Sequence, residues 1–205
     1  MKRLLLILML LMPMVSQAQR DTLHLRTEPL VGSVLFSGAT LVSLQPELHQ
    51  YEISLYDHLG LAGVPRQPFD NVLQFVPIAT PIALKLAGLE SRHSIGEIAL
   101  LSATASLISF AAVESAKRLY QVEWPDGRSF TSFPSGHTIM AFTGADIIRR
   151  EFGAQYPWLA VVGYGVAALV GVMRVYNSRH WPSDVLGGAG AALLTVSFTY
   201  WLYGK

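Results

Sequence analysis

Long apolar runs broken by short polar clusters organise this chain. The first run, Leu4 to Val15, follows a basic Met1-Lys2-Arg3 and precedes Ser16-Gln17-Ala18. A basic start, a short apolar core and small residues at a cleavage position predict an export signal over residues 1–18. Residues 19–205 are then expected to form a single membrane-embedded domain. An uncleaved anchor is the lesser reading, because the run is short of the roughly 20 residues a span needs and Pro13 interrupts it.

After a polar 19–28, apolar stretches recur at 29–44, 72–89, 95–116, 138–148, 158–173 and 185–203. Gly32, Gly38, Gly163, Gly165, Gly171, Gly187, Gly188 and Gly190 fall inside them. Small residues at such positions let helix backbones approach closely in lipid. The mixed segment 45–71, interrupted by Pro65 and Pro68, reads as an amphipathic piece along the interface. The pattern predicts an all-α, polytopic membrane helical bundle of about six spans. A soluble helical protein with a very apolar core is the runner-up, since several stretches fall below 18 residues.

Composition agrees with the pattern. Hydrophobic residues make up 51% of the 205 and charged residues only 14%, against about 25% charged in ordinary soluble domains. The net charge of +1 and the lack of a basic stripe give no ground for a nucleic-acid partner. With no cysteine there is no disulfide framework and no thiolate metal site. No obligate protein partner is evident either.

The polar clusters at the edges of the apolar stretches carry the candidate chemistry. One is Phe133-Pro134-Ser135-Gly136-His137. The other is Arg174, then His180, then Asp184, within Met173-Arg-Val-Tyr-Asn-Ser-Arg-His-Trp-Pro-Ser-Asp184. Ionisable groups beside hydrocarbon are costly and mark functional sites. A neutral imidazole is a competent nucleophile toward phosphorus, and a carboxylate one helical turn beyond can fix its tautomer. Those roles suit His180 and Asp184. His137 fits the acid that protonates a leaving alkoxide and then activates water. Lys117, Arg174 and the Ser135-Gly136 backbone would hold phosphoryl oxygens.

Taken in order, Lys117, Pro-Ser-Gly-His137 and Arg174-x5-His180-x3-Asp184 resemble the type 2 phosphatidic acid phosphatase superfamily. That superfamily comprises membrane lipid phosphatases that share a helical core with bacterial acid phosphatases and vanadium haloperoxidases. The resemblance covers about residues 70–200. It implies catalytic roles for His137, His180 and Asp184, and substrate-binding roles for Lys117, Ser135, Gly136 and Arg174. It further implies a lipid phosphate substrate, a membrane bilayer as setting, and no metal or other cofactor. The first motif departs from the family pattern Lys-x6-Arg-Pro, because Trp124-Pro125 stands where Arg-Pro is expected. Arg128 is the nearest residue able to swing into that place, ahead of Arg118 and Arg179.

Other readings have less behind them. His180 and Asp184 as metal ligands would need His137 and Asp126 to complete a site of about four donors. Ser135 lacks the Gly-x-Ser-x-Gly elbow of a serine hydrolase. A scaffold that binds phospholipid head groups without catalysis would account for Trp124. Halogenation by a vanadium enzyme would require a soluble pocket. His24, His49, His58 and His93 have no companion motif and read as structural, and Asp146 as a satisfied polar group within the membrane. Alternate counting of six spans puts the site on the cytoplasmic side. Arg149 and Arg150 at the other end instead favour a bacterial inner-membrane site facing the periplasm.

Overall fold

In a computed structural model the described residues, 27–204, contain eight helices and no strand. The expected export signal and His24 lie outside them. α1 runs over Thr27–Leu44, α2 over Pro46–His58, α3 over Asp70–Leu73 and α4 over Val76–Leu86. α5 spans Ile95–Tyr120, α6 Gly136–Phe152, α7 Pro157–Tyr176 and α8 Pro182–Leu202.

Local chemistry explains where these helices begin. Ser94 and Glu97 form a capping box that opens α5, the serine hydroxyl accepting from Glu97 N and the carboxylate accepting from Ser94 N. Prolines occupy the first turns of α2, α4, α7 and α8, where the missing N–H leaves no carbonyl unpaired. Helix α5 ends on Gln121 in the left-handed conformation, φ 49°, which turns the chain into the 121–133 loop.

Helix α6 is the hub of the bundle and packs against α4, α5, α7 and α8. Helix α1 lies along α8, where a β-carbon on Gly190 would come within 2.7 Å of Gly32 O and 2.6 Å of Phe36 N. Glycine is required there because the two backbones touch.

Four helices, α1, α5, α7 and α8, are long and apolar enough to cross a bilayer. The stretches expected to cross at 72–89 and 138–148 fold as shorter helices, α4 with 11 residues and α6 with 17. The outer faces of α1, α5 and α7 leave Leu30, Val34, Leu107, Phe110, Val161 and Val172 exposed. So much uncovered apolar surface fits lipid rather than water. This is a membrane protein.

The end of the bundle away from Ser135–His137 holds the structural polar residues. Asp146 is fully buried and accepts from Arg149 Nε, Arg150 Nε and Tyr164 Oη, each at 2.8 Å. It is a satisfied group, as its surroundings in the sequence suggested. His93 Nδ1 lies 2.9 Å from Glu151 Oε1, which also accepts from Tyr200 Oη. At the Ser135–His137 end, His49 pairs with Glu52, its Nδ1 3.1 Å from Oε2.

Segment 45–71 does more than lie along an interface. Its Glu52, Tyr56 and Asp70 are buried against the bundle. Glu52 accepts from Ser183 N at 2.6 Å and from Ser183 Oγ at 2.8 Å, which ties α2 to the first turn of α8. The acidic side chain also complements the positive end of that helix.

Candidate active site

Four segments converge at one end of the bundle: the end of α5 with Lys117, the start of α6 with Ser135–His137, the end of α7 with Arg174, and the turn into α8 with His180 and Asp184. Their charges act on one another. His137 feels Arg174, Asp70, His180 and Lys117, while His180 feels Asp184, Arg174 and Lys117. All seven residues singled out in the sequence therefore belong to one neighbourhood.

His180 is buried, only 3% exposed, in the turn between α7 and α8. Its Nδ1 lies 3.4 Å from Asp184 Oδ2, an ion-pair distance but too long and poorly aligned for a good hydrogen bond. Catalytic hydrogen bonds of this length are common before substrate binds and tighten afterwards. Asp184 is held from both sides, its Oδ2 accepting from Trp181 N at 2.7 Å and from Ser132 Oγ at 2.5 Å. With Nδ1 turned to the carboxylate, Nε2 is the nitrogen left for chemistry. Burial pushes the His180 imidazole below its ordinary pKa of 6.5, against the smaller opposing pull of Asp184.

Ser135 is the N-cap of α6. Its Oγ accepts from Thr138 Oγ1 at 2.8 Å and from Thr138 N at 3.4 Å, and its N–H donates to Asp184 O at 3.0 Å. The serine hydroxyl thus organises the helix start, and the first-turn amides that follow make it an anion-friendly terminus. Gly188 of α8 lets this turn sit close, since a β-carbon there would come within 2.9 Å of Ser135 O. Lys117 Nζ lies 4.0 Å from where a β-carbon on Gly136 would stand, so the ammonium hangs over the same terminus.

Arg174 is buried and its NH1 donates to Asp70 Oδ2 at 2.8 Å, while its Nε is buried without an acceptor. Asn177 Nδ2 also donates to Asp70 Oδ1 at 3.3 Å. His137 Nε2 lies 2.9 Å from Asn71 Oδ1. Asp70, Asn71, Ser132 and Asn177 are site residues that the sequence reading missed. The available signal was their place: like the recognised motifs, Asp70-Asn71 sits at the edge of an apolar stretch, directly before residue 72.

The place of the absent family arginine is filled by an indole. The 121–133 loop closes on itself through Trp124 N to Ser129 O at 2.8 Å and Ser132 N to Val122 O at 2.9 Å. It is pinned to the turn before α8 by Trp181 Nε1 donating to Glu123 O at 2.8 Å. Trp124 stands with its ring centroid 6.1 Å from that of His180. Arg128 does not swing in. Its side chain is 69% exposed and stands 3.8 Å from Asp126 Oδ2. Asp126, offered by the sequence as a fourth metal donor, is engaged by Arg66 NH2 at 2.5 Å.

Comparison with known proteins places this arrangement. Residues 110–205 match the PAP2 superfamily. A lipid A 1-phosphatase from Porphyromonas gingivalis is 36% identical over 142 residues, covering 69% of this chain and 32% of that protein. An undecaprenyl-diphosphatase from Sulfolobus acidocaldarius is 39% identical over 57 residues, 28% of this chain and 26% of that protein. The chain thus spans about a third or less of these curated relatives. In fold it is similar to the crystal structure of a transmembrane PAP2 type phosphatidylglycerolphosphate phosphatase from Bacillus subtilis. The TM-score is 0.62 at 20% identity, over 87% of this chain and 97% of that one.

Proposed function

This chain belongs to the PAP2 superfamily through its C-terminal half, and from that premise we propose that it is a metal-independent lipid phosphatase. The single observation that carries this reading is His180, a buried imidazole whose Nδ1 faces a fixed carboxylate and whose ring feels the charges of Arg174 and Lys117.

His180 Nε2 attacks phosphorus, and the bond from phosphorus to the lipid oxygen breaks. His137 delivers its proton to the departing alkoxide. A phosphohistidine remains, with Asp184 stabilising the charge on the ring. His137 then takes a proton from water as it attacks phosphorus, and the nitrogen–phosphorus bond breaks to release inorganic phosphate and neutral His180. Lys117, Arg174 and the amides of the Ser135-Gly136 terminus hold the non-bridging oxygens throughout.

Candidate substrates are phosphatidate, phosphatidylglycerol phosphate, undecaprenyl diphosphate and the phosphates of lipid A. The similarity to a lipid A 1-phosphatase puts lipid A first. The site lies at one end of the bundle, so acyl or prenyl tails stay in the bilayer while the phosphate reaches His180. Arg149 and Arg150 lie at the opposite end of α6, which supports a bacterial inner-membrane protein with its site facing the periplasm.

Trp124, standing where the family has arginine, favours a second reading: a scaffold that binds phospholipid head groups without turning them over. Release of inorganic phosphate from this lipid panel by the purified protein, with EDTA present, decides between them. Release that EDTA leaves intact supports the phosphatase, and binding without release supports the scaffold.

A further inference from the structure

The chain lacks a guanidinium at position 124 and carries one at position 179, immediately before the proposed nucleophile. Arg179 Cζ lies 5.2 Å from the centroid of the Trp124 ring, within the range of a cation–π contact. The same ring stands 6.1 Å from the ring of His180. Trp124 therefore touches both the residue proposed as nucleophile and the cation next to it.

The backbone around Arg179 is constrained. Ser178 adopts the left-handed conformation, φ 56°, which L side chains rarely take. Its hydroxyl accepts from Tyr56 Oη at 2.6 Å and donates to Leu61 O at 3.2 Å. Arg179 N and His180 N both donate to Arg174 O, at 3.0 and 3.3 Å. The turn thus fixes Arg174, Arg179 and His180 relative to one another.

Charge completes the case. Arg66 is taken by Asp126, Arg128 is out in solvent beside it, and Arg174 donates to Asp70. Arg179 has no carboxylate partner among the described residues, and its charge bears on Arg174. Arg174 and Arg179 repel one another, and an anion held by both would offset that repulsion. The Trp124 indole N–H is likewise buried without an acceptor among the described residues.

Resting on the phosphatase reading, we propose that Arg179 is a second phosphoryl-binding guanidinium beside Arg174, stacked on Trp124 in place of the arginine that the family pattern carries at position 124. The donor then comes from the turn before α8 rather than from the 121–133 loop, so the turn that delivers the nucleophile also delivers the charge that neutralises the phosphoryl group. Planar guanidinium groups are suited to this, since they offer paired donors to two oxygens of one phosphate.

The test compares wild type, Arg179→Ala, Arg179→Lys and the exchange Trp124→Arg/Arg179→Ala in detergent. Two readouts are phosphate release and the affinity for orthovanadate, a phosphate mimic whose binding needs no turnover. Arg179→Ala is expected to lower kcat/KM by about 100-fold, as loss of one oxyanion donor does. Vanadate binding should weaken at least 10-fold, and Arg179→Lys should keep part of both. Recovery of either readout in the exchange variant would establish the swap. Wild-type turnover and vanadate affinity in Arg179→Ala would overturn the proposal while leaving the phosphatase reading intact. Should the wild type release no phosphate, that reading fails by itself, and vanadate binding still decides whether Arg179 clamps an oxyanion. If Arg179→Ala does not give a monodisperse protein, Arg179→Met, which preserves stem contacts with Trp124, replaces it.

Discussion

Asp70 Oδ2 accepts a hydrogen bond from Arg174 NH1 at 2.8 Å, joining two buried side chains that lie 104 positions apart. One comes from the short helix α3 and the other from the last turn of α7. The pair aims the guanidinium and leaves its Nε without an acceptor for an incoming anion. Asp70→Ala removes one partner of a buried ion pair, which costs about 3–5 kcal/mol. The expected result is a clear loss of thermal stability together with lower kcat/KM. Thermal unfolding in detergent alongside kinetics checks it, and a variant as stable as wild type would show that the pair holds nothing together.

His180 is the proposed nucleophile, so His180→Ala is expected to reduce phosphate release by roughly 10³-fold or more, because residues acting as a unit lose almost everything with one member. Asp184→Asn should be less severe. Malachite-green phosphate assays on lipid substrates measure both. Residual turnover above a few per cent in His180→Ala removes the assignment.

Burial holds the His180 imidazole below its ordinary pKa. The nucleophile is active when neutral, so it stays competent as pH falls through 6.5, and the acidic limb of kcat/KM lies below that value. Asp184 pulls in the opposite direction. Asp184→Asn removes that pull, so the limb should move to still lower pH as the rate drops. A limb at or above pH 6.5 in the wild type would contradict the assignment.

Asn71 Oδ1 lies 2.9 Å from His137 Nε2. Asn71→Asp puts a carboxylate there, which favours the protonated imidazole and raises its pKa. The limb of the kcat profile on which His137 must be protonated should therefore shift to higher pH. Asn71→Ala is expected to lower kcat by about 10-fold with little change in KM, as loss of a group that positions an acid does. An unmoved pH profile in Asn71→Asp would separate Asn71 from the chemistry.

Sidedness is measurable because the chain has no cysteine of its own. Arg128→Cys lies on the site's loop, and Gln155→Cys lies exposed at the other end of the bundle. An impermeant maleimide added to intact spheroplasts is expected to label position 128 and spare position 155. The reverse pattern places the site in the cytoplasm.

The residues legible in advance are those whose meaning is local. Pro134 to His137 sits at the start of one helix, and Arg174, His180 and Asp184 belong to one helix–turn–helix, so spacing alone joins them. Asp70, Asn71 and Glu52 come from a stretch with no clean periodicity, and the tertiary contacts that define their roles leave no mark on their neighbours. Arg128 illustrates the same limit. It is the nearest arginine to Trp124 in sequence, yet the 122–132 loop turns it outward. Arg179, remote along the chain, arrives beside the indole because α7 ends there. The span count was approximate for a related reason: α6 is sheltered among other helices and can be shorter than helices that face lipid along their whole length.

Glu52 grips both the amide and the hydroxyl of Ser183 from α2, whose Tyr51, Ile53 and Leu55 are exposed. An exposed apolar rim of this kind suits the boundary between water and lipid, and the same helix is geared to the turn that carries Asp184. The depth at which that rim rides is then expected to set the tension on the turn. Turnover in nanodiscs of graded acyl-chain length gauges this linkage, and equal rates across the series mean that the gearing is slack.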